Sequence, residues 1–197
     1  MTPLTPAAAA ALLCLAGAGS AQAFTYDETT DPDLSGDRLA PTVLTAAGGL
    51  NTLLMRSTTG DRDYFSFAVP AGWELVSIFH QTYVSADNLS FFALQAGTTL
   101  TEPPTGTNPN NLLGWMHFGT STANSELIDD LGTSTPAIGF TPPLSAGDYT
   151  FWVQQTGVSA TYSFDFVLTA VPEPAPLALM LVGAGVLGLA RRPHGRG

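Results

Sequence analysis

The sequence predicts a mainly β protein: an antiparallel, jelly-roll-like β-sandwich, flanked by an N-terminal signal peptide and a C-terminal transmembrane helix. Three observations carry this. Residues 24–170 contain seven short segments in which apolar residues alternate with polar ones or run continuously, each bounded by turn residues. Helical periodicity is confined to one short stretch of that body. Two charge-free apolar runs lie outside it, near residues 7–18 and 175–190.

Residues 1–23 read as a secretory signal peptide, which implies passage through the Sec translocon. Ala7–Ala18 supplies the apolar stretch, and Ala21-Gln22-Ala23 is a small-x-small cleavage site before Phe24. Cys14 follows the bulky Leu13, which does not suit a lipoprotein site. With Cys14 removed alongside the leader, the body holds no cysteine, and disulfides cannot hold it together.

The body, 24–170, is long enough for one domain with a hydrophobic core. Asn51–Ser57 is the weakest strand pattern. Asp63–Val69 places Phe65, Phe67 and Val69 on one face. Trp73–Val84 is apolar on both faces, as expected of a central strand. Ser90–Ala96 and Gly114–Gly119 follow, separated by residues 97–112, a Thr-, Pro-, Gly- and Asn-rich stretch that reads as a long surface loop. Ser125–Leu131 is the helical segment, with Asn124 or Ser125 as N-cap and Gly132 as stop. Tyr149–Gln155 puts Tyr149, Phe151 and Val153 on one side, and Tyr162–Thr169 alternates most cleanly of all. Turns are expected at Pro70-Ala71-Gly72, Ala86-Asp87-Asn88, Ser145–Asp148 and Thr156-Gly157.

In the tail, 171–197, Val171-Pro172-Glu173-Pro174 precedes the apolar run Ala175–Ala190, and Arg191, Arg192 and Arg196 follow it. As a helix the run would extend roughly 24 Å at ~1.5 Å per residue. That is marginal for a hydrocarbon core of about 30 Å, a gap that snorkelling arginines and local thinning close at modest cost. The arginines act as a membrane stop and favour the cytoplasmic side, so the body is expected outside the inner membrane. Gly183-Ala184-Gly185-Val186-Leu187-Gly188 matches the dinucleotide fingerprint formally, but no strand precedes it and no acid follows it.

Residues 171–197 resemble the PEP-CTERM sorting signal of Gram-negative bacteria: the Pro172–Pro174 triplet, a short membrane segment and the basic tail 191–197. The resemblance implies recognition by the membrane protease-transpeptidase exosortase, with Val171, Pro172, Glu173 and Pro174 as the sorting and processing motif. It implies an inner-membrane-anchored precursor and a mature form at the cell surface or in the extracellular polymer. The body is similar to sandwich domains found beside such signals and to bacterial pre-peptidase C-terminal domains. Asp61-Arg62-Asp63-Tyr64-Phe65-Ser66-Phe67 and Gly147–Gln155 carry that likeness. Those modules are accessory domains rather than catalysts.

Charge narrows the function further. The chain has 16 acids against six basic residues, all arginine, and every acid but Glu173 lies in the body, opposed there only by Arg38, Arg56 and Arg62. Nucleic-acid binding is excluded by that balance, since neutralising phosphates needs basic side chains. No H-E-x-x-H motif, paired cysteines or nucleophile elbow is present, so no catalytic residue is assigned and no enzyme is expected.

Two ligand sites remain as candidates. Asp31, Asp33 and Asp37 alternate before and after Gly36 in the manner of a calcium loop, with Asp61 and Asp63 as spatial partners; the twelfth position is Thr42 rather than Glu, and the plainer reading is surface acids on a turn. Calcium is the one cofactor considered. Trp115, just after the long loop, is the best exposed platform for an extracellular polysaccharide. His80 is expected to be a partly buried strand residue, and His117 a neighbour of Trp115.

Overall fold

A computed structural model describes residues 22–106, 109–155 and 157–172. The expected signal peptide up to Ala21, and the tail from Glu173 through the membrane run to Arg191, Arg192 and Arg196, lie outside the described residues. No helix among the described residues is long and apolar enough to cross a membrane.

The strands are β1 (Thr25–Asp27), β2 (Thr42–Val43), β3 (Gly49–Ser57), β4 (Arg62–Val69), β5 (Trp73–Ser85), β6 (Ser90–Ala96), β7 (Gly114–Phe118), β8 (Ser125–Glu126), β9 (Gly147–Gln155) and β10 (Ala160–Ala170). Among the described residues one α-helix, α1, spans Ile128–Thr133, and a single 3-10 turn covers Thr120–Thr122. The strands form two five-stranded sheets, β1-β3-β10-β5-β8 and β2-β4-β9-β6-β7. All seven expected strands are present. The sheets are mixed rather than purely antiparallel, because β1 pairs parallel with β3 and β2 parallel with β4. Both parallel strands are very short and come from the segment before residue 44, where no alternating pattern has room to develop.

The core lies between the sheets and is built from inward-facing alternate residues. Phe65, Phe67 and Val69 of β4, Phe151 and Val153 of β9, and Phe92 and Leu94 of β6 meet Leu53 and Met55 of β3, Phe164, Phe166 and Leu168 of β10, and Leu75 and Ile78 of β5. Phe166 packs edge-on against Phe65, Phe67 and Phe151, with centroids at 5.9, 5.3 and 5.3 Å. Edge-to-face packing sets the positive ring edge against the negative face, which adds attraction beyond simple burial.

β5 departs from the expected two-sided burial for a specific reason. Val76 and Gln81 have no partner in β10, so the register slips at both points. Each extra residue is a β-bulge that flips the following side chains to the other face. The buried set therefore runs Leu75, Ile78, His80, Tyr83. A second correction concerns the helix. Ser125 and Glu126 form β8, and α1 begins only at Ile128. Glu126 caps it from outside, its Oε1 accepting from the N–H groups of Leu127 and Ile128 at 3.0 Å each. Asn124 is left-handed, with φ 61, which turns the chain into β8 instead of starting a helix.

Candidate functional site: an aromatic groove and a buried acidic cluster

The outer face of the second sheet carries the groove. Strand parity that sends Phe151 and Val153 into the core sends Trp152 and Gln154 out, and likewise turns Phe91 of β6 and Trp115 and His117 of β7 outward. Register then aligns two rows across the sheet. The first is Tyr64, Trp152, Ala93, Trp115; the second is Arg62, Gln154, Phe91, His117. Ala93 is the small residue in the first row, which leaves room between the two tryptophans for side chains of the overlying loop.

The expected surface loop folds back over these rows. Leu100 and Leu112 are buried against Tyr64, Ala93 and Trp152 in a second apolar cluster, separate from the core. Arg38 fastens the loop, its Nη1 donating to the carbonyl oxygens of Leu100 and Thr101 at 2.9 and 2.8 Å. A groove of about 300 Å³ remains beneath, lined by Phe91, Trp115, Trp152, His117, Gln154, Glu102 and loop prolines. That is at the small end of ligand sites.

The chemistry of the groove mixes flat apolar faces with isolated polar groups. Phe91 and Trp115 stack at 6.1 Å and 23°, and Phe91 meets Trp152 edge-on at 4.6 Å. Trp115 Nε1 is held by the Pro136 carbonyl at 3.3 Å, whereas Trp152 Nε1 is buried without a partner among the described residues. Glu102, only 7% exposed, is contacted by Asn111 Nδ2 at 3.4 Å. Gln154 Oε1 accepts from Arg62 Nε at 3.2 Å, which fixes the amide with its NH2 group as a donor. His117 Nδ1 donates to the Ser90 carbonyl at 3.3 Å, leaving Nε2 as an acceptor in the neutral ring. Trp115, expected from the sequence, is thus one wall; Trp152 and Phe91 complete the groove.

The acidic cluster sits at one end of the core. Asp63 is the first inward residue of β4 after the Val69-Phe67-Phe65 series, and it is fully buried. One oxygen from each of Asp63, Glu28 and Asp33 lies within 4.8 Å of the other two. Neither Asp63 oxygen has a hydrogen-bond partner among the described residues, nor do the buried Ser57 Oγ and Tyr162 hydroxyl nearby. Burial, then the charges of Glu28, Asp61 and Asp33, push the Asp63 carboxyl up to about 9; the nearby Ser57 hydroxyl, outside hydrogen-bonding geometry, opposes this only weakly. Burial also raises Glu28, against the pull of backbone N–H groups from Arg56 and Leu34. Asp33 rises through burial and the charge of Asp61.

Of the other expected calcium residues, Asp61 lies close enough for its charge to act on the cluster, whereas Asp31 and Asp37 are not among its three acids. Asp31 Oδ2 accepts the Asp27 N–H at 2.8 Å, and Asp37 Oδ1 accepts the Leu39 N–H at 2.9 Å, so both close local turns. His80 is fully buried rather than partly so, stacked on Phe164 at 5.2 Å, with Nδ1 3.1 Å from Thr122 Oγ1. Burial lowers its pKa and keeps it neutral. Of the expected processing residues, Ala23 is half-buried, and Phe24 packs on Phe67 and Phe166 at 5.9 and 6.4 Å. Val171 donates its N–H to the Gly72 carbonyl at 2.8 Å, and Pro172 is the last described residue.

No family model matches the chain, and no curated protein matches it. Among solved structures, Aeromonas hydrophila PliG, a periplasmic inhibitor of g-type lysozyme, matches with 13% identity and a TM-score of 0.34, over 65% of this chain and 96% of that one. A likeness of that size says nothing about ligand, activity or compartment.

Proposed function

We propose that this chain is a non-catalytic, exported sugar-binding module, carried to the envelope surface or extracellular polymer by its C-terminal signal. The observation that carries the binding reading is the groove. The half-buried rings of Phe91 and Trp115, with the edge of the buried Trp152 beneath them, offer flat apolar surface to the C–H side of a pyranose ring. Glu102 and Gln154 supply an acceptor and a donor for ring hydroxyls, and Trp152 Nε1, which has no partner among the described residues, is a further donor. The formal net charge of −10 favours a neutral polymer over an anionic one.

Delivery rests on sequence. The Pro172-Glu173-Pro174 triplet, the apolar run and the arginines support exosortase sorting from the inner membrane, and Ala21–Ala23 supports signal-peptide removal before Phe24, the first ring packed on the core. The finer fold reading, a jelly roll, is supported by the facing rows β3-β10-β5-β8 and β4-β9-β6-β7, an order that interlocked Greek keys produce. The non-catalytic reading is supported by the burial of His80 among phenylalanines.

A glycan array followed by calorimetry tests the binding. Saturable binding to a neutral glycan, lost in Trp115→Ala, is expected; no binding to any glycan defeats the sugar reading. Deleting residues 171–197 and fractionating the cells tests delivery, and an unchanged distribution defeats the sorting reading.

A further inference from the structure

We propose that Glu28, Asp33 and Asp63 form a divalent-cation site, best suited to calcium, that clamps the N-terminal segment onto the open side of the sandwich. This goes beyond the sugar-binding reading and uses none of its residues.

The geometry starts from strand parity. Ser57 ends the inward series Leu53, Met55, Ser57 of β3, Asp63 begins the inward series of β4, and Tyr162 lies on the inward face of β10. Three polar side chains therefore enter the interior at one end, each no more than 1% exposed. Among the described residues neither oxygen of the buried Asp63 carboxylate is paired, which is uncommon, and the Ser57 and Tyr162 hydroxyls beside it, likewise without partners there, make its surroundings polar. Proteins leave such groups where water, an ion or a ligand completes them.

Charge and spacing select the occupant. The cluster offers only carboxylate oxygens, with Asp61 close enough to add its field, and holds neither His nor Cys. Hard oxygen ligands of this kind suit calcium or magnesium rather than zinc or copper. Oxygens up to 4.8 Å apart fit opposite sides of a calcium ion, whose ligands sit about 2.3–2.6 Å from it. Magnesium demands near-octahedral geometry and gives up its waters reluctantly, so a buried cluster of three carboxylates suits it less well. The backbone N–H groups of Leu34 and Arg56 hold the Glu28 carboxylate at 2.9 and 2.6 Å, so this ligand is oriented before any ion arrives.

The site joins two parts of the fold. Glu28 and Asp33 belong to the turn after β1, whereas Asp63 belongs to β4 in the other sheet. An ion shared among them ties the N-terminal segment to both layers.

The test is thermal unfolding of the chelated full chain with added calcium or magnesium, with hydrogen exchange over residues 25–44. Calcium is expected to raise Tm by about 5 °C or more and slow exchange in that segment, with magnesium less effective. Asp63→Asn should fold and lose the calcium shift, Glu28→Gln should weaken binding at least tenfold, and Asp129→Asn on α1 should leave the shift intact. Absence of any cation response in the folded wild-type chain would overturn the proposal, as would full calcium binding by Asp63→Asn. Trp115→Ala, which removes the proposed sugar platform, should keep the calcium shift, so the two readings fail separately.

Discussion

Chelated protein should lose stability as pH rises, and Asp63→Asn should abolish most of that loss. Folding holds the Asp63 carboxyl near 9, against an ordinary value of 3.8. Between those values the folded chain keeps a proton that the unfolded chain releases, so stability falls with pH throughout the window. Full differential protonation is worth about 1.4 kcal/mol per pH unit. For a chain of this size that corresponds to roughly 3–6 °C in Tm per unit. His80 acts in the opposite direction: its lowered pKa makes stability rise with pH up to its ordinary range near 6.5. The cleanest window is therefore about pH 7.5–8.5, where an ordinary imidazole is mostly neutral in the unfolded chain as well. Differential scanning calorimetry in EDTA, on wild type and Asp63→Asn, measures the slope directly. A flat wild-type profile, or an equal slope in the variant, would refute the assignment of the buried proton to Asp63.

Phe166→Ala removes the ring that three others pack against edge-on, and urea unfolding should show a loss of about 3–5 kcal/mol. Gly114→Ala should cost about 1–3 kcal/mol in the same assay, because a Cβ there would lie 2.1 Å from the Leu131 carbonyl oxygen and push α1 off β7. Arg38→Ala frees the loop at Leu100 and Thr101, so it should weaken glycan binding several-fold in calorimetry while calcium binding persists.

Most of the long strands were legible because alternation has room to show, most cleanly in Asp63–Val69, Tyr149–Gln155 and Tyr162–Thr169, while Trp73–Val84 was legible as a run apolar on both faces. Three elements were not. β1, β2 and β8 have two or three residues each, too few for a pattern, and their pairing is decided by distant strands. Parallel pairing leaves no local trace either. The bulges at Val76 and Gln81 were hidden because β5 is rich in apolar residues on both parities, so slipped and unslipped registers look alike. The groove was half-legible. Trp115 stood out by its place after a loop, but Trp152 and Phe91 carried the same signal, being aromatic on the parity opposite Phe151 and Phe92. Asp63 was also legible as the charged member of the Phe65, Phe67, Val69 series. Glu28 was not, since only the turn at Asp27–Asp31 brings it across to β4.

The two sites lie on opposite faces of one strand, and the same chain segment reaches both. Asp63 points inward to the acidic cluster, and its neighbour Tyr64 points outward to Trp152, with centroids at 5.9 Å. Residues 25–43 pair with β3 in one sheet and β4 in the other, and the Tyr64 N–H donates to the Ser35 carbonyl at 2.8 Å between those pairings. Three residues on, Arg38 grips the loop that roofs the groove. Edge strands of a sandwich expose unpaired N–H and C=O groups that invite association with other chains, and proteins commonly blunt them with lysine. This chain has none. The N-terminal segment instead covers the β3 and β4 edges with its own backbone. Its short pairings, of three and two residues, hold little by themselves. What fixes it must come from side chains, and the acids that burial and repulsion set at odds are the ones placed where it crosses between the sheets.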